Sequence, residues 1–179
     1  MKTKKEWKYF NIFQYEKEQE YLNDMHKKGW KLTKVNGLGT YYFEECEPED
    51  VVYQLDYNKE GRANKEEYVA MFADCGWEYL FDFADYSYFR KSKAEMNNEE
   101  SIFSDEQSRY EMMERVCKGR LLPVLVLFCA VIVPQFIFNI TIYHNYFLSV
   151  LYGIIFILYI TIFVASWKKM LEFKKTLDL

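Results

Sequence analysis

Six aromatic and two acidic side chains make the best case for chemistry in this sequence: Trp30, Tyr53, Tyr57, Trp77, Tyr79 and Phe81, with Asp56 and Asp82. Ring faces attract cations and carboxylates add charge, so a cleft walled by these residues would bind a small hydrophobic or cationic ligand. Glu44 and Glu45 would reinforce the charge. The aromatic density, 21 Phe, Trp and Tyr in the first 92 residues, has a second explanation. A thin sheet with short helices needs large side chains to bury enough area, each taking about 150–250 Å² out of water. Residue parity leaves both readings open.

Catalysis has weaker support. Of the two histidines, His26 adjoins the polar side of a helix and reads as a surface residue, and His144 lies in a turn. No neighbouring Ser, Cys, Asp or Glu completes a nucleophile motif with either. Pairs such as Glu44 with Glu45, or Asp82 with Asp85, are common on solvated strand ends. Gly37-x-Gly39 lacks the third glycine or Lys-Ser/Thr of a phosphate loop and reads as a hairpin turn. Cys46, Cys75, Cys117 and Cys129 form no C-x-x-C pair, so neither a zinc site nor a disulfide framework is indicated. No catalytic residue, metal or cofactor is therefore expected. Residues 1–92 carry 14 basic and 18 acidic side chains, which argues against direct nucleic-acid binding.

The elements that would position these residues repeat. Tyr21-Leu22, Met25 and Gly29-Trp30 recur as Tyr68-Val69, Phe72 and Gly76-Trp77 at an offset of 47. Each copy begins with a strand: Trp7, Tyr9, Phe13 and Tyr15 share one parity, as do Val51, Tyr53, Leu55 and Tyr57. A helix follows, with Asn64 and Glu67 resembling a capping box in the second. Gly29 and Gly76 stand where a helix takes a left-handed C-terminal residue. Two strands then close each unit: Lys31–Val35 with Tyr41–Glu45, and Glu78–Phe83 with Tyr88–Lys91. A duplicated β-α-β-β unit predicts an α+β domain over 1–92, one six-stranded antiparallel sheet with both helices on one face.

Residues 93–120 read as an acidic linker leading into a juxtamembrane helix, and 168–179 as a basic tail. Between them, Leu121 to Trp167 holds none of the chain's charged residues. It contains apolar runs of 23 and 22 residues separated by His144-Asn145, and about 20 suffice to cross a bilayer. A two-helix transmembrane hairpin follows. Arg115, Lys118 and Arg120 before it, and Lys168, Lys169, Lys174 and Lys175 after it, place both termini and the 1–92 domain in the cytoplasm. The N-terminal stretch has no apolar run of signal-peptide length. Without intramembrane charge the spans read as an anchor, with Gln135 and Asn139 available to hydrogen-bond the second span or another copy.

The segments FNIFQYE (10–16), EYLNDMHKKGW (20–30) and YYF (41–43), ahead of a membrane hairpin, resemble the bacterial family called domain of unknown function 2812. The resemblance implies a cytosolic domain with C-terminal spans, often encoded beside PadR-like transcriptional regulators. In outline, the duplicated unit is also similar to the effector-binding domains of multidrug-responsive regulators. Together these give the expectation of a non-enzymatic regulatory or sensory membrane protein whose domain binds a ligand or a PadR-like regulator. The alternative is a structural protein using that domain to dock another membrane protein.

Overall fold

The computed structural model describes residues 2–11, 14–37, 39–57, 64–96, 101–103 and 106–176. The chain divides into two compact units, Met1–Ser108 and Arg109–Leu179.

In the first unit the order is β1 (Thr3–Trp7), α1 (Tyr15–Lys27), β2 (Trp30–Asn36), β3 (Thr40–Glu45), β4 (Val51–Tyr57), α2 (Lys65–Asp74), β5 (Glu78–Phe83) and β6 (Tyr86–Ser92). The fold is α+β, as the alternating strand and helix patterns predict. The strands do not make the single six-stranded sheet expected. They form two antiparallel three-stranded sheets, ordered β1-β3-β2 and β4-β6-β5. Bulges break β2 between Leu32 and Lys34 and β5 between Tyr79 and Phe81. A bulge unpairs a residue and sharpens local twist, and both of these fall on edge strands, where bulges are common.

The helices also depart from the expected placement on a common face. Neighbouring residues of a strand point to opposite faces. On β6, Phe89 packs on Phe72 of α2 at 4.5 Å, while Tyr88 donates a hydrogen bond to Glu18 of α1 at 2.5 Å. The second sheet is therefore covered on both faces, and Val51, Tyr53, Leu55 and Tyr57 of β4 are all buried. Helix α1 packs on β4 as well as on β2. Its buried stripe, Tyr15, Glu18, Leu22, Met25 and His26, faces both sheets. The first sheet buries only one face, through Leu32, Val35, Tyr41 and Phe43.

Helix ends follow the sequence more closely. Gly29 and Gly76 have φ of 82° and 79°. After α2 the Trp77 N–H donates to the Phe72 carbonyl and the Gly76 N–H to the Ala73 carbonyl, the paired bonds that close a helix through a left-handed residue. Trp77 then packs against Phe72 and Phe89. The capping box does not form, since Asn64 caps α2 without a side-chain hydrogen bond. The first strand lies earlier than its aromatic parity indicates, because Tyr15 opens α1, and Phe13 lies outside the described residues. Part of the expected linker is packed: Met96 and Ile102 lie against the Phe72, Trp77 and Phe89 cluster.

Gly39, at φ 101°, closes the β1–β3 ladder by accepting the Lys8 N–H at 2.9 Å. A Cβ there would sit 2.1 Å from the Lys8 carbonyl oxygen, whereas one at Gly37 would meet nothing within 4 Å. Gly39→Ala is expected to cost about 2–4 kcal/mol by strain plus clash. Gly37→Ala pays only the positive-φ penalty, about 1 kcal/mol. Denaturant midpoints of the two variants measure the difference.

In the second unit the chain stays helical from α3 (Glu106–Val116) through α4 (Leu122–Leu127) and α5 (Val133–Thr141), with π turns at Cys117–Leu121 and Phe128–Ile132, and returns as α6 (Tyr146–Thr176). Two helical stretches, Gln107–Thr141 and Tyr146–Lys168, are long and apolar enough to cross a membrane. His144 at φ 48° makes the turn, and Asn145 caps α6 by accepting the Leu148 N–H on Oδ1 at 3.1 Å. Phe128 stacks on Tyr159 at 5.1 Å, and Gly153 admits Phe136. Asn139 donates to the Gln135 carbonyl of its own helix at 2.7 Å.

Candidate functional site

A cleft of about 430 Å³ opens in the first unit where the ends of the two sheets meet, lined by His26, Lys31, Cys46, Glu47, Glu49, Val51, Gly76, Glu78, Arg90, Lys91, Ser92 and Glu95. Its back wall depends on His26, which the last turn of α1 delivers one residue after Met25 and four after Leu22. The histidine is 4% exposed, a correction to the surface position expected of it. Its spacing from Leu22 places it on the buried stripe of α1.

The chemistry of His26 is set by Tyr53. The Tyr53 hydroxyl oxygen accepts the Leu32 N–H at 3.2 Å and lies 2.8 Å from Nδ1 of His26. With a backbone donor also on that oxygen, Tyr53 joins Nδ1 of the neutral imidazole to the Leu32 backbone, the direction of the hydrogen bond following the ring tautomer. Burial, and then the nearby Arg90, hold the imidazole below its ordinary pKa, which favours this neutral form. The Asn23 side chain takes the Tyr53 backbone N–H at 2.7 Å and fixes β4 against α1.

The charges around the cleft divide unequally. The guanidinium of Arg90 bonds the Glu78 carboxylate opposite it in the β5–β6 register. Lys31 pairs with Glu44 at 3.7 Å, and the Lys91 ammonium donates to the Cys75 carbonyl at 2.8 Å. Asp50, beside the cleft, lies between Lys27 and Lys93 at 3.3 Å from each. Glu47, Glu49 and Glu95 have no ion partner among the described residues. The Cys46 thiol likewise makes no hydrogen bond to His26 among them, so no nucleophile–base pair is assembled. No group of three or more potential metal ligands occurs among the described residues.

The aromatic candidates lie elsewhere. Tyr53, Tyr57 and Trp77 are core residues. Tyr57 packs on Tyr86 at 5.3 Å, and Phe81 stacks on Tyr88 at 4.9 Å. Buried Asp56 accepts the Tyr68 hydroxyl at 2.7 Å. The rings offered to a cationic ligand are covered by the chain's own lysines: Lys4 over Trp30 at 5.5 Å, Lys65 over Tyr79 at 4.8 Å, and Lys91 over Trp77 at 6.0 Å. Asp82 is the acid of such an arrangement. Lys65 at 2.9 Å and Ser87 at 2.8 Å satisfy it, and against the upward push of burial these bonds hold its carboxyl below the usual range. The structure thus brings Tyr79 and Asp82 together around an internal cation, and places none of the eight candidates in the cleft lining.

One buried group, Glu18, was not singled out by sequence reasoning. Glu18 Oε1 accepts the hydroxyls of Tyr41 at 2.6 Å and Tyr88 at 2.5 Å, and burial outweighs both bonds to raise its carboxyl pKa. Glu18 and His26 were both detectable as polar residues at helical spacing within the stripe of Tyr15, Leu22 and Met25.

No curated protein and no solved structure matches this chain. A family model described as protein of unknown function (DUF2812) matches residues 14–127, which include His26, Tyr53, Arg90 and the start of the first long apolar helix. This chain belongs to the DUF2812 family.

Proposed function

We propose that this chain is a non-enzymatic, membrane-anchored regulatory protein whose cytosolic unit binds a small cationic ligand in the cleft. The observation that carries this reading is the set of carboxylates of Glu47, Glu49 and Glu95, which line the cleft without ion partners among the described residues, beside a neutral His26. Lys31 and Arg90 are paired with Glu44 and Glu78, and the Lys91 ammonium, held on the Cys75 carbonyl, is outnumbered by the three carboxylates, so the net charge left for a ligand is negative.

The apolar helices anchor the unit. Arg115, Lys118 and Arg120 before them, and the lysines at and beyond Lys168, hold both ends on the cytoplasmic side. The unit itself is a duplication. Its halves share the strand order first-third-second, and their bulges, at Thr33 and Leu80, repeat the 47-residue offset of the sequence. Ligand occupancy is relayed to a partner protein, for which a PadR-like regulator is our candidate.

Titration calorimetry on the full-length chain in lipid nanodiscs tests this, with spermidine and tetraphenylphosphonium as probes. Saturable binding of either is expected, weakened when Glu47, Glu49 and Glu95 are all changed to Gln. Failure of both probes, together with failure to capture a PadR-like regulator, overturns the proposal.

A further inference from the structure

The outer face of the first sheet carries a feature that neither the core nor the cleft uses. Its rows follow from the strand register: Thr3, Glu44 and Lys31; then Lys5, Tyr42 and Lys34; then Trp7, Thr40 and Asn36. Trp7 and Tyr9 share the parity that the sequence marks as apolar, yet each is 68% exposed. A tryptophan and a tyrosine left in water where the pattern calls for burial mark a surface with another use.

The composition of this face identifies what covers it. Glu44 is its acid and is paired with Lys31 at 3.7 Å. Lys5 lies over the Tyr42 ring at 5.2 Å, and Lys34 is exposed with no ion partner among the described residues. The face is therefore positive on a chain whose net charge is −4. It has no aliphatic centre of the kind a stable protein interface buries, since Thr3, Thr40 and Asn36 fill its remaining positions. Tryptophan, tyrosine and lysine without aliphatic residues are the side chains that sit at the headgroup level of a bilayer. There the rings lie among the carbonyls and the ammonium groups meet lipid phosphates.

We propose that this face, through Trp7, Lys5 and Lys34, with exposed Tyr9 just beyond the end of β1, docks on the anionic surface of the membrane in which the chain is anchored. The inference rests on the anchorage proposed above. Near an anionic leaflet each lysine contributes about fivefold to the docking equilibrium, and salt screens the effect.

The test is acrylamide quenching of the full-length chain in nanodiscs of phosphatidylcholine alone and of phosphatidylcholine with phosphatidylserine. The Trp7→Phe variant isolates the Trp7 signal from those of Trp30, Trp77 and Trp167. Trp7 is expected to be quenched freely in the neutral discs and protected in the anionic ones. Protection should fade with added salt and disappear in a Lys5→Glu, Lys34→Glu variant whose circular dichroism is unchanged. Equal quenching in both lipids overturns the docking, and equal protection in both assigns the face to a protein contact instead. A chain that fails to insert into either disc overturns the anchorage, whereas an inserted chain with freely quenched Trp7 overturns the docking alone.

Discussion

Phe89→Ala is expected to cost about 3–5 kcal/mol, enough to unfold a large fraction of a domain of ordinary stability. Phe89 is fully buried at the centre of β6. Its ring meets Phe72 at 4.5 Å, Tyr79 at 5.7 Å and Tyr68 at 5.9 Å, and Trp77 completes the cluster. Removing it leaves a cavity that these four aromatic neighbours, anchored on α2, on β5 and in the turn between them, cannot collapse into. The Schellman closure of α2 weakens as well, because Trp77 loses one of the surfaces it packs on. Denaturant unfolding of the full-length protein in detergent should show the midpoint fall by near-ultraviolet circular dichroism, which follows the aromatic packing, with the helical signal of the second unit retained in the far ultraviolet. Phe81→Ala is a useful contrast, since that ring is only half-buried and stacks on Tyr88 alone among the described rings.

Why β6 holds the centre of the domain was partly written in the sequence. The 47-residue repeat, the glycine-closed helices and the parity of Val51, Tyr53, Leu55 and Tyr57 all predict the elements seen. Repeats and strand parity are local signals, and each half obeys them. Two things depended on long-range packing and were not legible. The first is the separation into two sheets, whose edge strands β2 and β5 each carry a bulge, at Thr33 and Leu80, single-residue irregularities with no distinctive residue type. The second is the role of α1, whose stripe is read as covering one sheet but contacts strands of both.

The site was less legible than the fold for a related reason. An aromatic-rich sequence announces large side chains without saying which lysine already lies over them. Lys4, Lys65 and Lys91 come from three different elements or their neighbours, and they reach Trp30, Tyr79 and Trp77 only after the sheets have formed. The cleft arises from residues that look unremarkable one at a time: a helix-end histidine, a loop of glutamates and two basic residues late in β6. Their convergence is a property of how the sheet ends meet.

Tyr88→Phe is expected to produce the second large effect, one that depends on pH. At neutral pH it removes one of the two hydroxyls donated to Glu18, a buried acid for which Tyr41 is then the remaining hydroxyl donor among the described residues. A hydrogen bond to a charged group contributes about 1.5–3 kcal/mol, against about 0.5–1.5 for a neutral one. The full cost therefore applies when the carboxylate is charged and shrinks once it is protonated. Because burial raises the Glu18 pKa in the folded chain, the folded state holds this proton more tightly than the unfolded state does. The sign follows: the contribution of Glu18 to stability is greatest below the ordinary carboxylate range and is lost as pH rises through the elevated folded value. His26 titrates in the opposite sense, since its lowered pKa removes stability as pH falls below the ordinary histidine range. Glu18→Gln separates the two. It keeps a carbonyl acceptor for both tyrosines and abolishes the decline with rising pH, while leaving the acid-side loss due to His26. Unfolding midpoints measured from about pH 4 to 8 for the parent, Tyr88→Phe and Glu18→Gln proteins provide the check. A parent whose midpoint rises steadily over that range, with Glu18→Gln unchanged from it, would remove Glu18 as the group responsible.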